Sequence, residues 1–154
     1  MSRKEQDIKE HAKNLVDYMT KFLRTRFNSP HFNLGKCIIS TNKKRKRSWG
    51  GVRVYDGRFK GYINLSLHPF VRNKSTYHFV EYNQYADRQD IGTVEGSWRK
   101  CVTALVAHEM AHAFTMLNND VCVHGSFKAT ATDEEGHGAQ WQYVYCTLRE
   151  HFHI

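Results

Sequence analysis

Residues 97–117 read Ser-Trp-Arg-Lys-Cys-Val-Thr-Ala-Leu-Val-Ala-His-Glu-Met-Ala-His-Ala-Phe-Thr-Met-Leu, the longest mostly apolar segment with a helical period in the chain. Its apolar side chains recur at helical spacing, which predicts a long helix facing the core. Ser97 is a suitable N-cap, because its hydroxyl can accept a hydrogen bond from a free amide of the first turn. The polar residues 118–120 end the pattern. We therefore expect a central helix from about Ser97, followed by a polar loop of about 15 residues.

Within this helix, His108-Glu109-Met110-Ala111-His112 forms a His-Glu-x-x-His motif. Positions i and i+4 lie one turn apart on the same helix face, so both imidazoles can bind one ion. Glu109 lies beside them, where it can take a proton from a water on the metal. Zinc suits this arrangement because it accepts imidazole nitrogens and keeps an open position in catalytic sites. The motif predicts one Zn²⁺ per chain, with His108 and His112 as ligands and Glu109 as general base.

A zinc site of this type requires a third protein ligand. The longer motif with glycine at position 115 and histidine at position 118 is absent, because the sequence has Thr115 and Asn118. The downstream candidates are His124, Glu134, Glu135 and His137. We favour His137 because it begins a helical stripe that faces the core, and because a helix N-terminus favours the neutral imidazole that a metal needs.

The flanking sequence predicts an α+β domain. Residues 8–27 carry apolar side chains at steps of three and four, which predicts an N-terminal helix that ends before Pro30. Short strands are expected at 37–41, 51–55 and 62–67, with a less certain strand or cover segment at 76–85.

Asp56-Gly57 and Lys60-Gly61 are expected to form turns between the second and third strands. A last helix is expected at about 137–152. The order is N-terminal helix, small three- to four-stranded sheet, active-site helix, loop and C-terminal helix, which fits one domain over residues 1–154.

Positive charge is concentrated between Lys36 and Lys60. This segment has nine basic residues and one acidic residue, a net charge of +8 that equals the net charge of the whole chain. Such a concentration indicates a polyanion partner, and interleaved aromatic side chains could stack on unpaired bases. A solvated loop, a nuclear-targeting peptide and aromatics buried in the sheet are the alternatives. The candidate nucleic-acid contacts are Lys43, Lys44, Arg45, Lys46, Arg47, Trp49, Arg53, Arg58 and Lys60, with 43–47 in a loop between the first two strands.

Two motifs of the chain resemble those of the SprT-like zinc metalloproteases, the family that includes Spartan. They are the His108–His112 helix and the segment Gly136-His-Gly-Ala-Gln-Trp141. The resemblance implies His108, His112 and His137 as zinc ligands, Glu109 as general base, and cleavage of proteins associated with or crosslinked to DNA. Many members carry a C-terminal zinc ribbon. The cysteines here form no Cys-x-x-Cys pair, so we expect a compact form in which the basic loop contacts DNA.

Two other functions remain open at this point. A metal-dependent nuclease would use the basic loop to hold its substrate, and a non-catalytic nucleic-acid-binding module would use zinc for structure. Tyr143, Tyr145, His124 and Arg149 are available to stabilise an oxyanion, and the sequence does not rank them.

The sequence also suggests a compartment. No apolar run approaches the roughly 20 residues of a membrane helix. The N-terminus has no apolar signal segment, so we expect a soluble intracellular protein with reduced cysteines and no membrane partner, in the cytoplasm, or in the nucleus if the source is eukaryotic.

Overall fold

A computed structural model describes residues 1–45, 47–79, 91–118 and 138–154, and it has the predicted α+β class. In chain order, the elements are α1 (Arg3–Arg26), β1 (Leu34–Ser40), β2 (Trp49–Tyr55), β3 (Arg58–Ser66), a 3₁₀ turn (His68–Phe70), β4 (Tyr77–Phe79), β5 (Val94–Gly96), α2 (Trp98–Leu117) and α3 (Ala139–His151). Across the described ranges, no helix combines the length and apolar character that crossing a membrane requires.

The predicted N-terminal helix is confirmed, although it starts earlier than the apolar pattern does. The Ser2 hydroxyl accepts a hydrogen bond from the Glu5 amide at 3.1 Å, so capping begins the helix at Arg3. Ile8, Met19 and Leu23 of the apolar stripe are fully buried. α1 therefore packs its predicted face against the core.

Among the described residues, β1, β3 and β2 form a sheet in that order. β3 is central and pairs parallel with β1 and antiparallel with β2. The β2–β3 connection is a two-residue hairpin turn, in which Asp56 and Gly57 both have positive φ, at 49° and 77°. Positive φ at both positions is typical of a type I′ turn, which suits aspartate followed by glycine. The prediction for Asp56-Gly57 is confirmed.

The expected turn at Lys60-Gly61 is wrong. Both residues lie inside β3, where Gly61 pairs with Val52 on one side and Leu34 on the other. A Cβ at Gly61 would lie 2.7 Å from Leu34 Cδ2. The glycine therefore allows the neighbouring side chain to pack closely, and it does not serve a turn.

A small antiparallel pair, β4 with β5, precedes the central helix. β4 begins at Tyr77, which confirms the start of the uncertain strand at 76–85, whereas residues 80–85 lie outside the described ranges. The short β5 had no clear pattern in the sequence. Its last residue, Gly96, is followed directly by Ser97, the N-cap of α2.

The core is built around α2. Every residue from Cys101 to Thr115 is buried, because the sheet, α1, α3 and the β4–β5 pair all pack on this helix. A helix buried on all sides explains why apolar residues occur around its whole circumference. Among the described residues, the thiols of Cys37 and Cys101 are free, and Cys122 lies outside the described ranges.

Candidate metal site

The side chains of His108, Glu109 and His112 lie together on one buried turn of α2. Each of the three residues is no more than 9% exposed. The Ser97 hydroxyl accepts a hydrogen bond from the Lys100 amide at 3.2 Å. This cap starts the helix at the residue that the sequence predicts. The structure therefore brings the two predicted imidazole ligands and the predicted base together.

The two imidazoles converge through the same ring nitrogen. His108 Nε2 and His112 Nε2 are 3.2 Å apart. Two nitrogens bound tetrahedrally to zinc at about 2.0–2.1 Å would be separated by about 3.3–3.4 Å. The observed separation thus fits a shared zinc ion. It also allows a hydrogen bond between two neutral rings, which orients them in the absence of metal.

Glu109 supplies a carboxylate next to this pair. Its Oε1 lies 3.7 Å from His108 Nε2, and the residue is 6% exposed. Burying a carboxylate is costly unless positive charge or hydrogen-bond donors compensate for it. A divalent cation between the imidazoles would provide such positive charge, so the donor set of this turn fits zinc.

Aromatic side chains surround the imidazoles. The Trp141 ring stacks on His112 at a centroid distance of 5.3 Å, and its indole N–H donates to the His108 carbonyl at 3.2 Å. The Tyr145 ring stacks on Trp141 at 4.8 Å, and Phe79 meets His108 edge-on at 5.7 Å. α3 and β4 thereby restrict the orientation of both rings, which is how surrounding groups usually tune a metal site.

The sequence identified Trp141 and Tyr145 as members of an apolar helix face, but it missed their contact with the imidazoles. The signal for Trp141 was its place on the apolar stripe of the predicted last helix. Phe79 lies in the strand or cover segment expected at 76–85, and nothing in that pattern indicated a contact with the imidazoles.

The strand β2 approaches the same turn of α2 very closely. Gly50 is buried, and a Cβ at this position would overlap the Glu109 carbonyl. Only glycine allows the backbone of β2 to lie directly against the helix here. The glycine thus allows β2 to pack directly against the helical turn that carries Glu109.

The third zinc ligand stays a prediction. His137 lies outside the described ranges, as do the alternatives His124, Glu134 and Glu135. Within the described ranges, no three His, Cys, Asp or Glu side chains are arranged to hold a metal ion. The first described residue after the gap is Gly138, the N-cap of α3, so the expected ligand directly precedes the helix that carries Trp141.

Three of the candidate oxyanion donors can be located. The Tyr143 hydroxyl accepts a hydrogen bond from Arg26 at 3.1 Å, and Arg149 donates to the Gly92 carbonyl at 2.9 Å. These hydrogen bonds connect Tyr143 to α1 and Arg149 to the segment before β5. Tyr145 is fully buried, with its ring centroid 5.9 Å from that of His108. None of these contacts gives a role in stabilising an oxyanion.

The basic loop lies at one end of the sheet, between β1 and β2 as predicted. The Asn64 side-chain amide donates to the Arg47 carbonyl at 3.0 Å, and the Ser66 amide donates to the Ser48 hydroxyl at 2.9 Å. The Ser66 hydroxyl donates to the Arg45 carbonyl. These bonds attach the loop to β3 through two backbone carbonyls and the Ser48 side chain. The side chains of the loop cations that the structure describes, Lys43, Lys44, Arg45 and Arg47, are exposed, and Lys46 lies outside the described ranges.

The face of the sheet that points away from α2 carries a stacked cation. The Arg53 guanidinium lies 3.9 Å from the Tyr62 ring centroid and 5.7 Å from that of Trp49. Tyr62 is buried, as the alternative of core aromatics predicts, but Trp49 is 40% exposed. Lys60 pairs with Arg53, and Arg58 lies two residues away on the same face. The structure therefore brings Trp49, Arg53, Arg58 and Lys60 to one face, adjoining the basic loop.

No protein-family model, curated protein or solved structure matches this chain. The resemblance to SprT-like proteases stays a hypothesis that rests on the two motifs quoted above.

Proposed function

We propose that this chain is a zinc-dependent endopeptidase that hydrolyses proteins associated with or crosslinked to DNA. The observation that carries the proposal is the convergence of the His108 and His112 Nε2 atoms, 3.2 Å apart, beside the buried Glu109 carboxylate. A divalent cation would stabilise two imidazoles and a carboxylate that are buried on one helical turn. This is the donor set that a hydrolytic zinc site uses.

Each residue of the site has a separate task. His108 and His112 would hold the ion, with His137 as the expected third ligand. When bound, zinc supplies Lewis-acid activation of the attacking water and of the scissile carbonyl. The Glu109 carboxylate accepts a proton from the attacking water and transfers it to the leaving amine as the carbon–nitrogen bond breaks. Trp141 keeps the imidazoles oriented through its stacking contact and its hydrogen bond to the His108 carbonyl.

The proposed link to DNA rests on the basic loop and the adjoining sheet face. Exposed cations can neutralise phosphates, and the exposed part of Trp49 can stack on an unpaired base. Single-stranded or distorted DNA is the partner that this combination suits best, since duplex DNA hides the faces of its bases. Tethering to DNA would restrict a peptidase of low selectivity to proteins held on the same strand.

The test combines metal analysis of the purified protein with a proteolysis assay in the presence and absence of single-stranded DNA. The wild-type protein should contain about one zinc per chain and should cleave a DNA-bound protein substrate. Glu109→Gln should retain zinc and DNA while cleavage falls by about 10²–10⁴-fold, since it removes only the base. Glu95→Gln is a matched control, because Glu95 is exposed on β5 and should leave cleavage unchanged.

The same assays separate the alternatives. A nuclease would cut nucleic acid in a protein-free reaction, and Glu109→Gln would abolish that activity. A module with structural zinc would contain the metal but show no hydrolysis of either substrate. A metal-free protein that cannot take up zinc would contradict both the peptidase and the module with structural zinc.

A further inference from the structure

Phe79 is an aromatic side chain that lies beside the candidate metal site and is partly exposed. Its ring meets the His108 imidazole edge-on, at a centroid distance of 5.7 Å and an interplanar angle of 79°. Two further rings in the described part of the chain contact the same imidazole, those of Trp141 at 4.9 Å and Tyr145 at 5.9 Å. Both are fully buried, whereas Phe79 is half-buried. Part of the Phe79 ring is therefore open to a bound molecule next to the imidazole.

The position of Phe79 is fixed by its strand. At the start of β4, the buried Tyr77 accepts a hydrogen bond on its hydroxyl from Lys4 Nζ at 2.6 Å, which attaches the strand to α1. Phe79 itself pairs with Val94 of β5, and the Val94 carbonyl accepts a hydrogen bond from the Cys101 thiol of α2 at 3.7 Å. The ring is thus held in place before a ligand arrives, which lowers the entropic cost of binding.

The two neighbours His78 and Phe79 lie on opposite sides of β4. Tyr77 and Phe79 share the side that faces α2, while the exposed His78 points away from it, as strand alternation requires. A substitution at His78 therefore changes the same short strand without changing the side that faces the metal site.

The reacting bond of a substrate would lie close to this ring. Glu109, the expected base, has its Oε1 3.7 Å from His108 Nε2, so the attacking water and the scissile bond belong next to that imidazole. The Phe79 ring centroid is 5.7 Å from the same imidazole. An extended chain covers about 3.3 Å per residue, so a side chain that contacts Phe79 belongs to a residue within about two positions of the scissile bond.

The chemistry around Phe79 favours a polypeptide over a nucleic acid. The strands β4 and β5 contain one acid, Glu95, and neither lysine nor arginine. The cations of the basic loop and Arg53 lie on the loop and on the sheet face that points away from α2, so phosphates would bind there. The partly exposed ring instead complements an apolar side chain, because their contact removes apolar surface from water.

We propose that Phe79 forms a subsite that binds a bulky apolar side chain of the protein substrate, within about two residues of the scissile bond. Phe79 is then a specificity-determining residue, and the site prefers sequences with a large apolar residue near the cut. This inference rests on the proposed peptidase function and adds the class of sequence that the same site accepts.

The test uses the full chain carrying Glu109→Gln and loaded with zinc, so that no peptide is cleaved. Two labelled glycine–serine peptides of equal length differ at one central position, which is phenylalanine in one and serine in the other. By fluorescence anisotropy, the phenylalanine peptide should bind about tenfold more tightly. Adding Phe79→Ser should remove the difference, whereas adding His78→Ser, the matched control, should leave it unchanged. Phe79→Ala replaces the serine variant if that variant does not fold.

A conservative variant and zinc analysis distinguish contact with the substrate from support of the imidazole. Phe79→Leu keeps a bulky apolar side chain, so it should retain most of the preference for the phenylalanine peptide. Zinc content should stay at the wild-type level in Phe79→Ser. Loss of zinc in folded Phe79→Ser protein, with both peptides weakened by the same factor, would overturn the inference and assign the ring to the orientation of His108.

A cleavage map places the subsite relative to the cut. An unfolded protein substrate is digested with wild-type and Phe79→Ser protein, and the cleavage sites are identified by mass spectrometry. Wild-type sites should lie within about two residues of a large apolar residue, and the variant should lose these sites selectively. An equal loss at all sites, or no loss, would overturn the inference while leaving the peptidase function intact.

The anisotropy measurement also separates failure of the two proposals. If wild-type protein cleaves nothing but the peptides still differ in affinity through Phe79, the peptidase function fails and the subsite stands. Equal affinity for both peptides, including no detectable binding of either, overturns the subsite whether or not cleavage occurs. Weaker single-stranded DNA binding by Phe79→Ser, with peptide binding unchanged, would overturn it in favour of a nucleic-acid base.

Discussion

The two faces of the β1–β3–β2 sheet differ completely in chemistry, although the same short strands build both. On β3, Ile63 and Leu65 are fully buried toward α2, whereas Tyr62 and Asn64 point to the opposite face. The inner face supports a helix that carries two imidazoles and a carboxylate, and the outer face carries cations and an exposed indole. Strand alternation with a period of two thus separates the proposed hydrolytic site from the proposed polyanion surface by the thickness of one sheet.

The largest expected effect comes from the inner face. His112→Ala removes one of the two imidazoles, so zinc binding and protein cleavage should both fall below detection. Binding to single-stranded DNA should not change, because the variant leaves the outer face intact. Zinc content by elemental analysis and DNA affinity by anisotropy check both statements. A parallel loss of DNA affinity in folded protein would show that the two faces are not independent.

The next effect comes from the outer face. Replacing residues 43–47 with serine removes five cations, so the slope of log affinity against log salt for single-stranded DNA should fall by about 3.5 if each cation contacts one phosphate. Cleavage of a protein substrate in the absence of DNA should stay at the wild-type rate. Salt titrations of both proteins measure the slope. An unchanged slope would show that the loop cations do not contact DNA.

Gly50 and Gly51 are adjacent in β2 and lie on opposite faces of the sheet, so substitutions at these positions test the two faces separately. A Cβ at Gly50 would meet the backbone carbonyl of Glu109, whereas a Cβ at Gly51 would meet the ring of Trp49. Backbone in a packed core cannot move easily, so Gly50→Ala should lower the free energy of unfolding by about 1–3 kcal/mol and reduce cleavage. The half-exposed indole can rotate away, so Gly51→Ala should cost less than about 1 kcal/mol.

The Gly51→Ala variant should instead weaken single-stranded DNA binding several-fold, because it displaces Trp49 from its place beside Arg53 and Tyr62. Denaturant unfolding and anisotropy on the two variants make the comparison. Equal destabilisation by both substitutions would contradict the difference between a backbone neighbour and a side-chain neighbour.

The smallest effect concerns the attachment of the loop. Asn64→Ala removes the hydrogen bond to the Arg47 carbonyl and should lower the free energy of unfolding by about 0.5–1.5 kcal/mol. DNA affinity should fall slightly, since the loop loses one of its attachments to β3, and zinc content should not change. Asn14→Ala is the control, because Asn14 is exposed on α1. A larger loss of DNA affinity than in the serine variant of residues 43–47 would assign the binding to Asn64 itself.

The parts of the fold that depend on local spacing could be predicted. The start of the central helix follows from the Ser97 cap, and the buried face of α1 follows from the helical period. The Asp56-Gly57 turn follows from the positive φ that these residues tolerate. Each of these effects acts over a few residues. Lys60-Gly61 misled the prediction because glycine serves both turns and close packing. Its actual role depends on Leu34, a residue far away in the chain.

The pair His108 and His112 and the neighbouring Glu109 could be identified from the sequence alone, because one helical turn is enough to bring them together. It also determined where the positive charge is concentrated. What surrounds these groups depends on the folded chain: the stacking of Trp141 on His112, the contact of Gly50 with the Glu109 carbonyl, and the opposite orientation of the cationic face. These contacts join segments that are distant in sequence, so they follow from packing the whole core and not from any local pattern.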